Sequence, residues 1–380
     1  MELPKSSLCT GCGACVSACV TGALVLTRDT CGFLHPVVNS SLCSDCQRCE
    51  KVCPLCTFAE TTGVFKLYAA KAADKAIVEA SSSGGAFSVL SEYVLQNGGV
   101  VFGAGFDEGF NVCHIKIDKK EDLKLIRGSK YVQSQFLLAA QKAADELKNG
   151  KIVLFSGTPC QIAALKNITD NINTGTLYTV DFICHGVSSP LLFEKYRDFI
   201  SKGRKFKSIS FRDKTEGWHV YSLKAEFTDG TSYRKNITED PYLLSFVTNI
   251  SLRSSCNNCA FTGLKRVSDI TLGDAWNDSP SKKELCDGRG LSLVLINTEK
   301  GNVLYSNVKD KLISEALSPE VLKRNKPLNV PTKVNPLKDR FYKDMYRLEF
   351  DRLISKYCGL SLAAKIRRVS ANKLYRWKKH

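Results

Sequence analysis

Cysteines supply the clearest chemistry in this chain. Cys9, Cys12, Cys15 and Cys19 follow the spacing C-x2-C-x2-C-x3-C, and Cys43, Cys46, Cys49 and Cys53 repeat it, closing on Pro54. A tight loop with a thiol every third residue points three thiolates at three irons of one cube, while the fourth, carried on the following helix, reaches the other cube. This crossed pattern assigns Cys9, Cys12, Cys15 and Cys53 to one [4Fe-4S] cluster and Cys43, Cys46, Cys49 and Cys19 to a second. Zinc ribbons use two paired knuckles with four ligands rather than eight in two triplet-plus-one runs. Residues 1–60 therefore read as a small dicluster ferredoxin-type module.

Four further cysteines stand apart. Cys160 follows Gly-Thr-Pro at a predicted helix start, Cys184 ends an apolar run before His185-Gly186, and Cys256 and Cys259 form a lone C-x2-C. Cys160 and Cys184 fall at the carboxyl ends of predicted strands, where α/β sheets place functional groups. Together the four thiols can ligate a third cluster. Alternatively, Cys160 is a redox nucleophile favoured by the helix N-terminus, with the C-x2-C holding a disulfide or zinc. Cys31, Cys56, Cys113, Cys286 and Cys358 read as small apolar packing residues.

The elements that must position these groups alternate after a boundary near residue 62. A Ser/Gly loop at 81–85 precedes a helical AFSVLSEYVLQN, and GGVVFGAGF reads as a strand. QFLLAAQKAADELKNG, TPCQIAALK and SPLLFEKYRDFIS read as helices interleaved with strands KIVLFSG and TLYTVDFIC. From 207 the pattern turns β-rich: KSISFRD, then YSLKAEF and TSYRKN joined through Asp229-Gly230 as a hairpin. SDITLGDAW and LSLVLINTEKG add two more strands. The expected fold is α+β to α/β: a small ferredoxin-like domain, a larger mixed α/β core and a basic helical tail over 321–380.

The chain has 380 residues and 17 cysteines with no secretory leader pattern, so a reduced, cytoplasmic setting and metal ligation are expected rather than disulfides. No run approaches the length of a membrane span. No strand, G-x-G-x-x-G, helix order occurs, and no Walker loop or nucleophile elbow, so dinucleotide, kinase and hydrolase chemistries lack support.

Seven ordered motifs resemble the beta subunits of coenzyme F420-reducing hydrogenases and related dehydrogenases: SSSGG at 81–85, GSKYVQS at 128–134, FSGTPCQ at 155–161, CHGV at 184–187, CNNC at 256–259, DITLGDAW at 269–276 and GLSLVLINT at 290–298. The resemblance divides the core into an N-terminal-like region over 65–145 and a C-terminal-like region over 150–310. It implies FAD in the core with an iron–sulfur cluster beside it, and so supports Cys160, Cys184, Cys256 and Cys259 as ligands of a third [4Fe-4S] cluster. Ser82, Ser83, Gly84 and Gly85, ahead of a helix, offer backbone N–H groups to a pyrophosphate or an anionic flavin ring. Lys130 is a candidate partner for phosphate or reduced flavin, though it suits a solvated face equally. Asp274 and Trp276 are candidate pocket walls, and His185 either bonds a cluster sulfur or plays a structural part.

The expected function is an iron–sulfur flavoprotein oxidoreductase linking a one-electron carrier to a two-electron acceptor, coenzyme F420 or another organic substrate. The alternative is an electron-transfer subunit docked on a hydrogenase or dehydrogenase. The formal charge is +16, yet residues 1–60 carry four basic side chains against five acidic, while residues 321–380 carry 17 against four. That tail suits an acidic redox partner such as ferredoxin, or peripheral contact with anionic lipid; nucleic-acid binding would rest on charge alone and is not adopted.

Overall fold

A computed structural model describes residues 3–57, 66–276 and 280–359. The amino-terminal module is built on a hairpin of β1 (Leu24–Arg28) and β2 (Leu34–Val38), paired antiparallel with Val25 opposite Val37. Two one-turn helices, Ala14–Ser17 and Arg48–Lys51, carry the third cysteine of each triplet, Cys15 and Cys49. Each starts from a left-handed residue, Gly13 (φ 77°) and Gln47 (φ 56°), that turns the thiol-bearing loop sharply into the helix.

The core contributes β3 (Lys66–Ala72), β4 (Val100–Phe106), β5 (Val112–Ile117), β6 (Ile152–Ser156), β7 (Thr176–Phe182), β8 (Phe206–Asp213), β9 (Ser222–Phe227), β10 (Ser232–Asn236), β11 (Ile270–Asp274), β12 (Ser292–Ile296) and β13 (Leu312–Ala316). Eight of these form one sheet in the order β13-β3-β12-β11-β7-β6-β4-β5. Its centre is parallel, β11 with β7, β7 with β6 and β6 with β4, and antiparallel pairs flank it. Parallel strands buried on both faces read as continuous apolar runs, and β12, Ser-Leu-Val-Leu-Ile, is buried at every position. The strands and helices anticipated from the sequence form, including the β9–β10 hairpin through Asp229-Gly230; β5, β13 and the helix Pro241–Val247 were not anticipated.

Strands β8, β9 and β10 form a separate antiparallel sheet beside the helices Pro190–Ser201 and Pro241–Val247. Their shared core takes in Phe341, Tyr342, Met345, Phe350, Leu353, Ile354 and Cys358. The described part of the basic C-terminal segment is thus packed rather than solvated; the most basic stretch, from Leu362, lies outside the described residues.

The amino-terminal module is bolted to this core. Phe33 is 2% exposed and packs with Leu192, Phe193 and Tyr342. Tyr346 Oη donates to the Thr30 carbonyl (2.7 Å), Arg28 pairs with Glu194 (2.9 Å), and Gln133 Nε2 donates to the Thr10 carbonyl (3.0 Å). A Cβ at Gly11 would stand 2.5 Å from the Leu34 carbonyl and 2.9 Å from Arg253. The linker around residues 58–65 lies outside the described residues.

Candidate functional site

Because β4, β6, β7 and β11 run parallel, their carboxyl ends open on one edge of the sheet, and the main cavity lies there. Its volume is about 750 Å³, within the range of pockets that hold cofactors. β6 delivers Gly157-Thr158, β7 delivers Cys184-His185 and β11 delivers Asp274 and Trp276 to its wall.

The Ser/Gly loop reaches the same cavity from the end of β3. Its hydroxyls are spent on fixing the loop: Ser82 Oγ accepts from the Ser129 backbone N–H (2.8 Å), and Ser83 Oγ donates to the Leu291 carbonyl (2.8 Å). Gly84 N–H donates to Ser292 Oγ (3.0 Å), and a Cβ on Gly84 would come within 2.5 Å of the Ala70 carbonyl. Gly85, at φ 88°, turns the chain into the helix Ala86–Gln96, whose first turn lines the cavity. What the loop offers a ligand is therefore the backbone N–H groups other than that of Gly84 and the positive end of an eleven-residue helix.

Lys130 is half-buried on the cavity wall. Its Nζ donates to the Arg127 carbonyl (2.8 Å) and lies 5.8 Å from the Phe106 ring centroid. Burial pushes this ammonium down to about 7. The solvated alternative for Lys130 is thereby corrected. Asp274 is not free for a ligand on one oxygen, because Oδ2 holds Arg212 Nη1 at 2.7 Å. That guanidinium is wedged between the rings of Tyr221 (4.7 Å) and Trp276 (5.0 Å), and Trp276 stacks on Trp218 at 4.5 Å. Arg212 was not anticipated: it sits beside buried Phe211 on β8, and only packing against β11 brings it to the cavity.

Cys184 also lines this cavity, and burial raises its thiol well above the ordinary range, with Cys256, Cys160 and Cys259 adding to the effect. Burial pushes Cys256 up to about 11. Cys160, in the first turn of the helix Pro159–Thr169 behind a Thr158/Gln161 capping box, is raised as well, chiefly by burial and further by Cys259, Cys256 and Cys12. Among the described residues no two cysteines are joined in a disulfide, Cys256 and Cys259 included. Gly186, at φ 134°, lets the Cys184 loop close on Cys256: a Cβ there would lie 3.4 Å from its sulfur. His185 Nε2 is engaged with Asn249 Oδ1 (2.8 Å).

In the amino-terminal module Cys9, Cys12, Cys15 and Cys53 surround one small cavity with Gly13 and Pro54, the grouping that the crossed pattern requires. Cys49 and Cys15 share an apolar cluster with Leu24, Cys19 packs against it, and Cys46 is exposed. Cys12 and Cys160 pack in one apolar cluster with Phe136 and Ile162. The thiols thus form a spatial series from exposed Cys46, through Cys49, Cys15 and Cys12, to Cys160 and Cys184 at the large cavity. Among the described residues no three His, Cys, Asp or Glu side chains are arranged around a single metal ion. All-thiol sets without oxygen donors suit soft metal centres such as iron–sulfur groups. Cys56 and Cys286 are exposed, which corrects their reading as packing residues, whereas Cys358 is buried in the core.

Three family models match the chain. A 4Fe-4S dicluster domain matches residues 8–56, and the N-terminal and C-terminal parts of the coenzyme F420 hydrogenase/dehydrogenase beta subunit match 67–141 and 150–320. A subunit of the F420H2 dehydrogenase of Methanosarcina mazei is 23% identical over 332 residues, 82% of this chain and 85% of that protein. An uncharacterized protein of Methanocaldococcus jannaschii is 26% identical over 347 residues, 80% of this chain and 87% of that protein. A chain in the F420-reducing [NiFe] hydrogenase complex of Methanosarcina barkeri, solved for xenon derivatization, superposes with a TM-score of 0.47 at 19% identity, covering 78% of this chain and 90% of its own.

Proposed function

Because the chain belongs to the coenzyme F420 hydrogenase/dehydrogenase beta subunit family and carries a 4Fe-4S dicluster domain, we propose that it is an iron–sulfur flavoprotein oxidoreductase that passes electrons between a ferredoxin-like carrier and an organic two-electron acceptor, coenzyme F420 or another substrate. The observation that carries this reading is the unbroken series of thiols from exposed Cys46 to Cys184 on the wall of the 750 Å³ cavity. Iron–sulfur clusters pass single electrons, and FAD collects the pair that an organic acceptor needs.

The chain's own residues divide the work. Cys19, Cys43, Cys46 and Cys49 hold the outer cluster, Cys9, Cys12, Cys15 and Cys53 the inner one, and Cys160, Cys184, Cys256 and Cys259 the one in the core. Ser82, Ser83 and Gly85 present backbone N–H groups to the flavin while Gly84 anchors the loop on Ser292, and Lys130 supplies charge that follows the ligand: an ammonium whose ordinary proton is weakened by burial regains it beside an anion. The Arg212–Asp274 pair and the Trp276 ring close the far wall and hold it rigid. His185 keeps the Cys184 loop in place through Asn249.

A second reading draws on the relative from M. mazei, which is named as a subunit: the chain serves as the electron-transfer subunit of a larger hydrogenase or dehydrogenase. Anaerobic purification of the whole chain, with iron, sulfide and flavin analysis and a donor-dependent reductase assay, tests both. Three clusters, one flavin and turnover by the lone polypeptide support the first reading. Clusters and flavin with turnover appearing only on adding a catalytic subunit support the second. No flavin at all overturns the first.

A further inference from the structure

Arg253 occupies the seam between the amino-terminal module and the core. It is 2% exposed, and its face lies 5.2 Å from the Phe33 ring. Nε donates to the Cys9 carbonyl (2.8 Å), Nη2 to the Leu34 carbonyl (2.8 Å) and Nη1 to Gln133 Oε1 (3.1 Å). His35 lies 3.1 Å from Nη2. The backbone of Arg253 reaches the other way: its N–H donates to the Val187 carbonyl (2.9 Å) on the Cys184 loop, and its carbonyl accepts from the Cys256 N–H (3.1 Å). One residue is therefore bonded both to the loop of an inner-cluster cysteine and to the loops of two core-cluster cysteines.

The oxygens that accept from this guanidinium are uncharged carbonyl or amide groups. Asp29, a carboxylate joined to the network, is held by His35 (3.1 Å) and by the backbone N–H groups of Cys31 and Phe33 (2.8 Å each). An arginine cannot shed its proton, and a buried charge without a counter-ion is costly. The chemistry on either side of the seam supplies one, since thiolate-held iron–sulfur groups are anionic and become more so on reduction.

We propose that Arg253 is the resident counter-charge of the inner amino-terminal cluster site, and that it raises the reduction potential of the cluster on Cys9, Cys12, Cys15 and Cys53 above that of the outer one. This rests on the cluster assignments proposed above. A fixed positive charge favours the reduced, more negative state, and its effect is strongest in the buried seam and weakest at water-exposed Cys46. Electrons entering at the surface are thereby drawn inward toward Cys160.

The test is an anaerobic redox titration of the whole chain, monitored by electron paramagnetic resonance, on three variants. Arg253→Met removes the charge. Arg253→Lys keeps it but loses the fork. Gln133→Glu places a carboxylate on Nη1 and neutralises the charge with the arginine still in place. Arg253→Met and Gln133→Glu are expected to lower the reduced-to-oxidised ratio of one cluster at fixed potential by about tenfold, about 59 mV for one electron. The outer cluster should move much less, and Arg253→Lys should stay near wild type. Should Arg253→Met fail to fold, Gln133→Glu carries the test alone. Unchanged potentials in Gln133→Glu, or equal shifts in Arg253→Lys and Arg253→Met, overturn the assignment to Arg253 while the clusters stand. A wild-type chain that binds no cluster on Cys9, Cys12, Cys15 and Cys53 overturns the underlying reading as well.

Discussion

Cys12 of the amino-terminal module and Cys160 of the core helix Pro159–Thr169 pack in one apolar cluster, 148 positions apart in the chain yet close enough for Cys12 to bear on the ionisation of Cys160. Cys12 belongs to a C-x2-C run and Cys160 to none. Their meeting brings the ferredoxin-type module and the α/β core together at two candidate ligand thiols.

Removing one thiol on the core side should empty one site only. Cys160→Ala is expected to lower the iron content from about twelve to about eight per chain, with the amino-terminal signals intact. Iron and sulfide analysis of the anaerobic protein measures it, and an undiminished count would remove Cys160 from the ligand set. Gly186→Ala should cost the same four irons, because a side chain at φ 134° is strained and a Cβ would press on Cys256.

Phe33 ties the module to the main core, so truncating it should weaken the whole protein rather than free the module. Phe33→Ala is expected to cost about 3–5 kcal/mol. Denaturant unfolding under anaerobic conditions, followed both by visible absorbance and by far-ultraviolet circular dichroism, checks this. Coincident transitions shifted together are expected; an early loss of absorbance at an unmoved core transition would show two independent units.

Lys130 gives stability a pH dependence with a definite sign. Its folded value is pushed down to about 7 from 10.5. Between those limits the unfolded chain holds a proton that the native state has lost, so this group makes stability rise with pH from about 7 to 10.5 and leaves it flat below. Lys130→Met should remove that part of the slope in flavin-free protein. Flavin uptake near neutral pH should take up protons in the wild type and fewer in the variant, which isothermal titration in buffers of different ionisation enthalpy would read.

Val20 and Leu42, 69% and 51% exposed, adjoin Cys19 and Cys43 at the outer site. If the donor docks there through apolar contact, Val20→Asp should slow reduction by a protein donor several-fold and leave reduction by dithionite unchanged. Deleting residues from 360 onward tests the alternative of steering by the basic tail, whose effect should fade as the Debye length shrinks from about 30 Å at 0.01 M salt to about 10 Å at 0.1 M. Stopped-flow reduction across that range separates the two.

The dicluster character of the eight amino-terminal cysteines was legible from spacing alone, because two C-x2-C-x2-C-x3-C runs fall within one short segment. The strands and helices of the parallel core were legible too, since strands covered on both faces leave long apolar runs such as Ser-Leu-Val-Leu-Ile of β12. Distance along the chain hid the rest. Arg253 reaches Cys9 across 244 positions and Arg212 reaches Asp274 across 62, and no local pattern distinguishes either from a surface arginine. Their burial follows from how the module and the β8–β9 lobe settle on the edge of the sheet. That choice is made by the summed packing of Phe33, Phe211 and their neighbours, which short-range spacing does not encode.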